Sequence, residues 1–270
     1  MFISHKYKVI FVHIQRTGGN SIQKAFQEAD PDLIETLPLD VSKKRTKHCF
    51  LTDIRDAVDE NIFNEYLKFC VVRNPLARMI SWHNKLEQGF NKDEVPVKPK
   101  KEDIAFRVYM EGFILLRKIN FSQKGWLINC WSNFFSLIKK FNHGTQGEFA
   151  ARTAGVGYNV IKQVKQNAKN FDEFIMLPEN HPSGLFRRFY SNQLDYIADN
   201  DIVLADRILK FENLNSDFDK FAQEIGFEKS VLPHVNKSVK KNKKNFYSEE
   251  TKRIIVERFE KDYEYFGYML

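Results

Sequence analysis

The run from Lys8 to Ala25, KVIFVHIQRTGGNSIQKA, limits what this chain can fold into more than any other stretch. Val9 to Ile14, rich in β-branched and aromatic residues, reads as a strand that breaks at paired glycines and resumes with helical character. Gly18 and Gly19 relieve the steric limits where the chain must turn sharply. Backbone N–H groups from Gly18 to Ser21 are then expected to point outward at a helix N-terminus, where unpaired donors and the positive dipole end attract an anion. Arg16 adds a permanent positive charge, and Thr17, Asn20 and Ser21 add side-chain donors. A phosphate or sulfate seat is the functional expectation; an ordinary strand-to-helix turn is the plain alternative. A nucleoside triphosphatase loop needs a lysine immediately before the serine or threonine. Asn20 stands there instead, so that class loses the group that reaches the β- and γ-phosphates.

A second segment, LKFCVVRNPLARMISWHNKL from Leu67 to Leu86, repeats the strand-to-helix plan. Asn74 suits an N-cap and Pro75 the first helical position, which puts Arg73 at the carboxyl end of a buried strand. Ser81 follows Asn74 by nearly two helical turns and is expected on the same side as the cap. Arg73 and Ser81 thus form a candidate two-point clamp for a second phosphate. A surface ion pair and a solvated serine are the alternatives.

Together these segments resemble the PAPS-dependent sulfotransferases, in particular the carbohydrate family that includes heparan sulfate 2-O- and chondroitin-type enzymes and their bacterial relatives. That family's first loop typically reads H-I-P-K-T-G-G-T-S, and here His13 to Ser21 gives HIQRTGGNS. Its second reads F-V-R-N-P-W-x-R-x-x-S, and here Val71 to Ser81 gives VVRNPLARMIS. KHCFLTDIR from Lys47, DRILKFENLNSDF from Asp206, LPHVNKS from Leu232 and DYEYFGY from Asp262 continue the series in the family's order.

The resemblance implies transfer of a sulfuryl group from 3′-phosphoadenosine 5′-phosphosulfate (PAPS) to an acceptor, with a carbohydrate hydroxyl leading on family grounds. It implies that Gln15, Arg16, Thr17, Gly18, Gly19, Asn20 and Ser21 bind the 5′-phosphosulfate, that Arg73 with Ser81 holds the 3′-phosphate, and that Asn236, Lys237 and Ser238 close over the nucleotide. Sulfuryl transfer, like phosphoryl transfer, has a loose in-line transition state, so the protein mainly positions reactants and neutralises the leaving oxygen. No metal is expected: Asp53, Asp56, Asp59 and Glu60 are spaced as a solvated helix face. A general base must take the acceptor's proton. His48, in the segment matching the family's K-H-A-T-A, is the first candidate; His13, at the end of the first strand, is the competitor. Arg16 replaces the family's loop lysine and Gln15 its proline, so the charge is kept but a proton-donating role is not. A nucleotide kinase or triphosphatase and a non-catalytic nucleotide- or glycan-binding protein stay open as alternatives.

With 270 residues and 43% hydrophobic composition, the chain can bury a substantial core, and it is read as a single domain over 1–270. The fold class expected is α/β: a P-loop-like parallel sheet flanked by helices, with helical insertions. Asn91 to Asp103, with Pro96 and Pro99, reads as a loop edging the acceptor site, and the aromatic stretch from Ile104 to Phe141 as helical core. Arg187 and Arg188 are candidates to meet an anionic acceptor, and Gln193, Asp195 and Tyr196 echo a pattern of the family's relatives. DIVLADRILKF from Asp201 reads as two short strands or one bent strand, followed by a helix from Asn215 through Ile225. Ser248 to Tyr265 reads as one final helix packed on the sheet edge.

The net charge of +7, concentrated in Lys43–Lys47, Lys98–Lys101 and Lys237–Lys244, suits a polyanionic cofactor, with an acidic glycan or a membrane surface as the alternatives for the remainder. The basic runs lie apart and form no nucleic-acid module, so nucleic acid is not an expected partner. Without a recognisable leader or spanning run, the expectation is a bacterial cytoplasmic enzyme, or an excised catalytic domain of a Golgi-type enzyme, with no stable membrane insertion. Cys49, Cys70 and Cys130 have no metal-ligand spacing and are read as reduced thiols.

Overall fold

The computed structural model describes residues 1–35, 37, 47–88, 164–177, 189–200, 202–228, 232 and 247–269. Asn236, Lys237, Ser238, Arg187, Arg188, the aromatic stretch from Ile104 to Phe141 and nearly all of the three lysine runs lie outside the described residues. The backbone gathers into two compact units, Met1–Leu86 with Asn167–Leu270, and Glu87–Gln166. Nearly all of the described residues belong to the first.

Its centre is a four-stranded sheet built from β1 (Phe2–Ser4), β2 (Val9–Val12), β3 (Leu67–Val72) and β6 (Arg207–Lys210), in the order β1-β2-β3-β6. β1 pairs antiparallel with β2, whereas β2, β3 and β6 run parallel, with Val12 opposite Cys70 and Val72 opposite Lys210. A parallel strand pair needs a crossover, and a sheet so connected is covered on both faces, which is why VIFV and FCVV are unbroken apolar runs. Alternation splits them: Ile10, Val12, Cys70 and Val72 enter one core, and Val9, Phe11, Phe69 and Val71 the other.

Helices cover both layers. α1 (Gly19–Ala29) buries Ile22, Ala25 and Phe26 against the second core, joined there by Phe218, Phe221 and Ala222 of α6 (Leu214–Glu224). Phe26 and Phe69 sit in a ring cluster with Phe11, Phe221 and Phe227, with neighbouring centroids as close as 4.3 Å. On the other face lie α2 (Leu51–Arg55), α3 (Glu60–Glu65) and α8 (Glu260–Phe266), through Leu51, Ile54, Phe63 and Phe266. α4 (Pro75–Gln88) follows β3, and α5 (Phe171–Ile175) and α7 (Glu249–Arg258) lie beside one another, tied by Asp172, which accepts from the N–H of Ser248 at 3.1 Å. The architecture is therefore α/β with helices flanking the sheet, as the strand-loop-helix alternation predicts, but the sheet is mixed and not all parallel, because β1 joins it antiparallel.

Several local expectations change. The first strand ends at Val12, two residues early, as Ile14 turns its N–H back to the Val12 carbonyl at 3.2 Å. The two-strand option holds for the stretch after Asp201: β5 (Ile202–Val203) pairs with β4 (Ala198–Asp199) in a separate ribbon, and only β6 joins the main sheet. The final helix is two helices, α7 and α8, broken at Phe259 (φ −114°, ψ 28°), whose fully buried side chain is held in the interior. Phe266 of α8 packs on a sheet face, not on the edge. The acidic cluster is not one solvated face: Asp53 is buried and accepts from the Phe50 N–H at 3.0 Å, and Asp59 caps α3 by accepting from the Asn61 N–H at 2.9 Å.

Candidate active site

Parallel packing of β2 beside β3 brings both strand-to-helix turns to the same end of the sheet. The first turn is strained where it matters: Arg16 sits at φ 68°, a left-handed backbone that a non-glycine residue adopts at a cost of roughly 1–2 kcal/mol. Gly18 follows at φ 87° and caps α1. A Cβ on Gly18 would stand 2.9 Å from the Phe211 ring, and one on Gly19 would stand 2.5 Å from His13 Nε2. Glycine is thus required twice, for conformation at Gly18 and for close approach at both. Gly19→Ala is expected to displace the walled-in His13 ring and lower stability by about 1–3 kcal/mol. A thermal melt superimposing on that of the unsubstituted protein would contradict this packing.

Two expected donors face inward. Thr17 is fully buried and its hydroxyl donates to the Ile14 carbonyl at 3.0 Å; the Ser21 N–H donates to the Gly18 carbonyl at 3.0 Å. Local pairing of these groups competes with outward display. Gln15 is buried with its Oε1 unpaired among the described residues, while Asn20 and Ser21 are half-buried at the mouth of the turn.

The second turn forms as the sequence predicts. Asn74 caps α4, its side-chain oxygen accepting from the Ala77 N–H at 3.2 Å. Ser81, further along the same helix, meets Arg16, whose Nη2 and Nε donate to its Oγ at 2.9 and 3.2 Å. Arg73 donates from Nη1 to the Arg16 carbonyl at 3.3 Å and lies 4.2 Å above the Phe211 ring. Arg16, Ser81 and Arg73 are therefore one cluster. Burial pushes Arg73 down to about 10; Glu212 opposes that shift and the like charge of Arg16 adds to it. Burial lowers Arg16 as well. Both remain cations at neutral pH.

His48 and His13 also meet, with ring centroids 4.7 Å apart. His48 Nδ1 lies 2.7 Å from the His13 carbonyl oxygen, which can only accept, so Nδ1 carries the hydrogen and the neutral ring's lone pair is on Nε2. His13 is buried between Phe11 and Gly19. Burial, and then the charge of His48, hold its imidazole well below the ordinary value, with the Gln23 amide opposing.

The residue that sequence reasoning passed over is Arg78. It is fully buried, donating from Nε to the Gln15 carbonyl at 3.1 Å and from Nη1 to the Ser191 carbonyl at 2.9 Å, with Asp262 as the opposing charge. Its spacing three residues before Ser81 on one helix was the available signal. Among the described residues no group of three or more His, Cys, Asp or Glu could hold a metal ion, and no helix is long and apolar enough to cross a membrane.

Adjacent parallel strands that each lead into a half-buried arginine of one cluster define a protein built to handle anionic groups. The chain belongs to the sulfotransferase family, the carbohydrate enzymes of heparan sulfate 2-O type, whose profile matches residues 1–269. Neither curated proteins nor solved structures give a match to it. The protein is accordingly a sulfotransferase, an enzyme that moves a sulfuryl group onto an acceptor.

Proposed function

We propose that this enzyme, acting as one domain over 1–270 with a P-loop-like first turn, takes its sulfuryl group from PAPS and delivers it to a hydroxyl of a carbohydrate. The observation that carries the reading is the Arg16–Ser81–Arg73 cluster. Arg73 is anchored on the backbone of Arg16, whose like charge disfavours the Arg73 cation, and a bound polyanion relieves that cost. Arg73 Nε, buried and unpaired among the described residues, supplies a further unused donor, so the residues fit an anionic nucleotide.

Bound PAPS supplies an activated sulfuryl group with a phosphate as the leaving group. Arg16 and the N–H groups at the start of α1 hold the 5′ end and neutralise charge on the departing oxygen. Arg73 and Ser81 hold the 3′-phosphate, and Arg73 keeps its plane against Phe211. Asn236, Lys237 and Ser238, outside the described residues, are assigned to nucleotide binding on the family resemblance alone. His48 Nε2 takes the proton from the acceptor hydroxyl; the His13 carbonyl fixes the tautomer that places the lone pair on Nε2. His13 itself acts through that carbonyl, its ring being enclosed. None of these roles requires a metal ion. The chain's positive charge of +7 favours an acidic acceptor.

The test is calorimetric titration with 3′-phosphoadenosine 5′-phosphate (PAP), with AMP and ATP in parallel and a chelator present. Tight, metal-independent binding selective for the 3′-phosphate is expected; preference for ATP, or no binding, overturns the reading. Arg73→Ala should weaken PAP binding by roughly tenfold to a hundredfold, the worth of a charged hydrogen bond, while leaving AMP nearly unchanged. Equal losses for the two nucleotides would remove the 3′-phosphate from Arg73.

A further inference from the structure

The parallel ladders end at Cys70 on the β2 side and at Val72 on the β6 side, so the backbone of Arg73 lies past the last rung. Its buried N–H and C=O still need partners. One side chain meets both: Gln193 Oε1 accepts from the Arg73 N–H at 2.8 Å, and Nε2 donates to the Arg73 carbonyl at 2.8 Å. A primary amide carries the same donor and acceptor as a peptide unit, so Gln193 extends the sheet by one rung with a side chain.

A long side chain serves as a rung only if its rotamers are locked. Asp262, fully buried on α8, does this. Its carboxylate accepts from Gln193 Nε2 at 3.0 Å, from the Gln193 N–H at 2.7 and 2.9 Å, and from the Leu194 N–H at 3.0 Å. The charge opposing Asp262 is Arg78, which grips the Gln15 carbonyl of the first turn. Both anion-handling turns are thus referenced to one buried carboxylate.

We propose that Gln193, locked by Asp262, is a positioning residue that aims the Arg73 guanidinium, and through it sets discrimination for a 3′-phosphorylated nucleotide. The inference rests on the reading of Arg73 as the 3′-phosphate ligand. Gln193 touches no substrate; it acts by fixing the backbone from which Arg73 projects.

Dissociation constants for PAP and AMP, with a thermal melt, would be measured for the unsubstituted protein, Gln193→Met and Gln193→Glu. Methionine keeps the bulk and removes both hydrogen bonds to Arg73. Glutamate keeps an acceptor for the Arg73 N–H, removes the donor and sets a carboxylate against Asp262; it also serves if the methionine variant does not fold. In the folded variants PAP affinity should fall roughly tenfold or more, with AMP affinity held within about twofold, as expected when a ligand's partner is misaimed rather than removed. A lowered melting temperature with an unchanged PAP-to-AMP ratio would mean a purely structural role and overturns the inference alone. An unsubstituted protein that binds PAP no better than AMP overturns the Arg73 reading and the inference together.

Discussion

Arg78→Met is expected to lower the melting temperature by roughly 6–20 °C, corresponding to about 3–5 kcal/mol in a chain of this size. Asp262 is fully buried; burial raises its carboxyl, and the charge of Arg78, without a direct hydrogen bond to it, opposes that shift most. Removing the guanidinium takes away that opposing charge and leaves two carbonyls, those of Gln15 and Ser191, without their donors. Methionine fills much of the space and none of the electrostatics. The loss should extend to function, because the Gln15 carbonyl anchors the turn that carries Arg16. A melt within about 2 °C of the unsubstituted protein would show that Arg78 is not the anchor described.

The second large effect is catalytic. His48→Ala should lower kcat by roughly a hundredfold to ten-thousandfold, the usual worth of a general base, while PAP affinity stays within about twofold. The separation follows from position: His48 is tied to the His13 backbone. The measurement is single-acceptor kinetics with PAPS saturating, paired with PAP titration of the variant. Unimpaired turnover would return the proton-accepting role to another group, with His13 first to be examined. Loss of PAP binding in step with turnover would mean that His48 holds the nucleotide's turn in place instead.

How much of this was legible beforehand differs from residue to residue. The strand-turn-helix at Val9 to Ala25 and the Asn-Pro start of α4 were plain, because apolar runs, paired glycines and a capping residue are local signals. The break in the last helix at Phe259 was not, because neither glycine nor proline marks it; the chain bends there with a phenylalanine held in the core and Asp262 brought to Gln193. Thr17 was expected to serve a ligand by residue type, yet its hydroxyl is paired within the turn, as is the Ser21 N–H that was expected to point outward. Asp53 and Asp59 looked like a solvated face because their spacing is helical, whereas they cap two different helices.

The sequence by itself determined the alternation of strands and helices, the two turns that carry Arg16 and Arg73, and, through its six ordered segments, the family. Those depend on contacts between near neighbours, which composition and spacing record. Only the tertiary structure decided which polar groups meet. Arg16 reaches Ser81 across 65 residues, Gln193 reaches Arg73 across 120, and Asp262 reaches Gln193 across 69. Each pairing arises because a buried donor or acceptor must be satisfied by whatever the packed core places within reach, and no local pattern states what that will be.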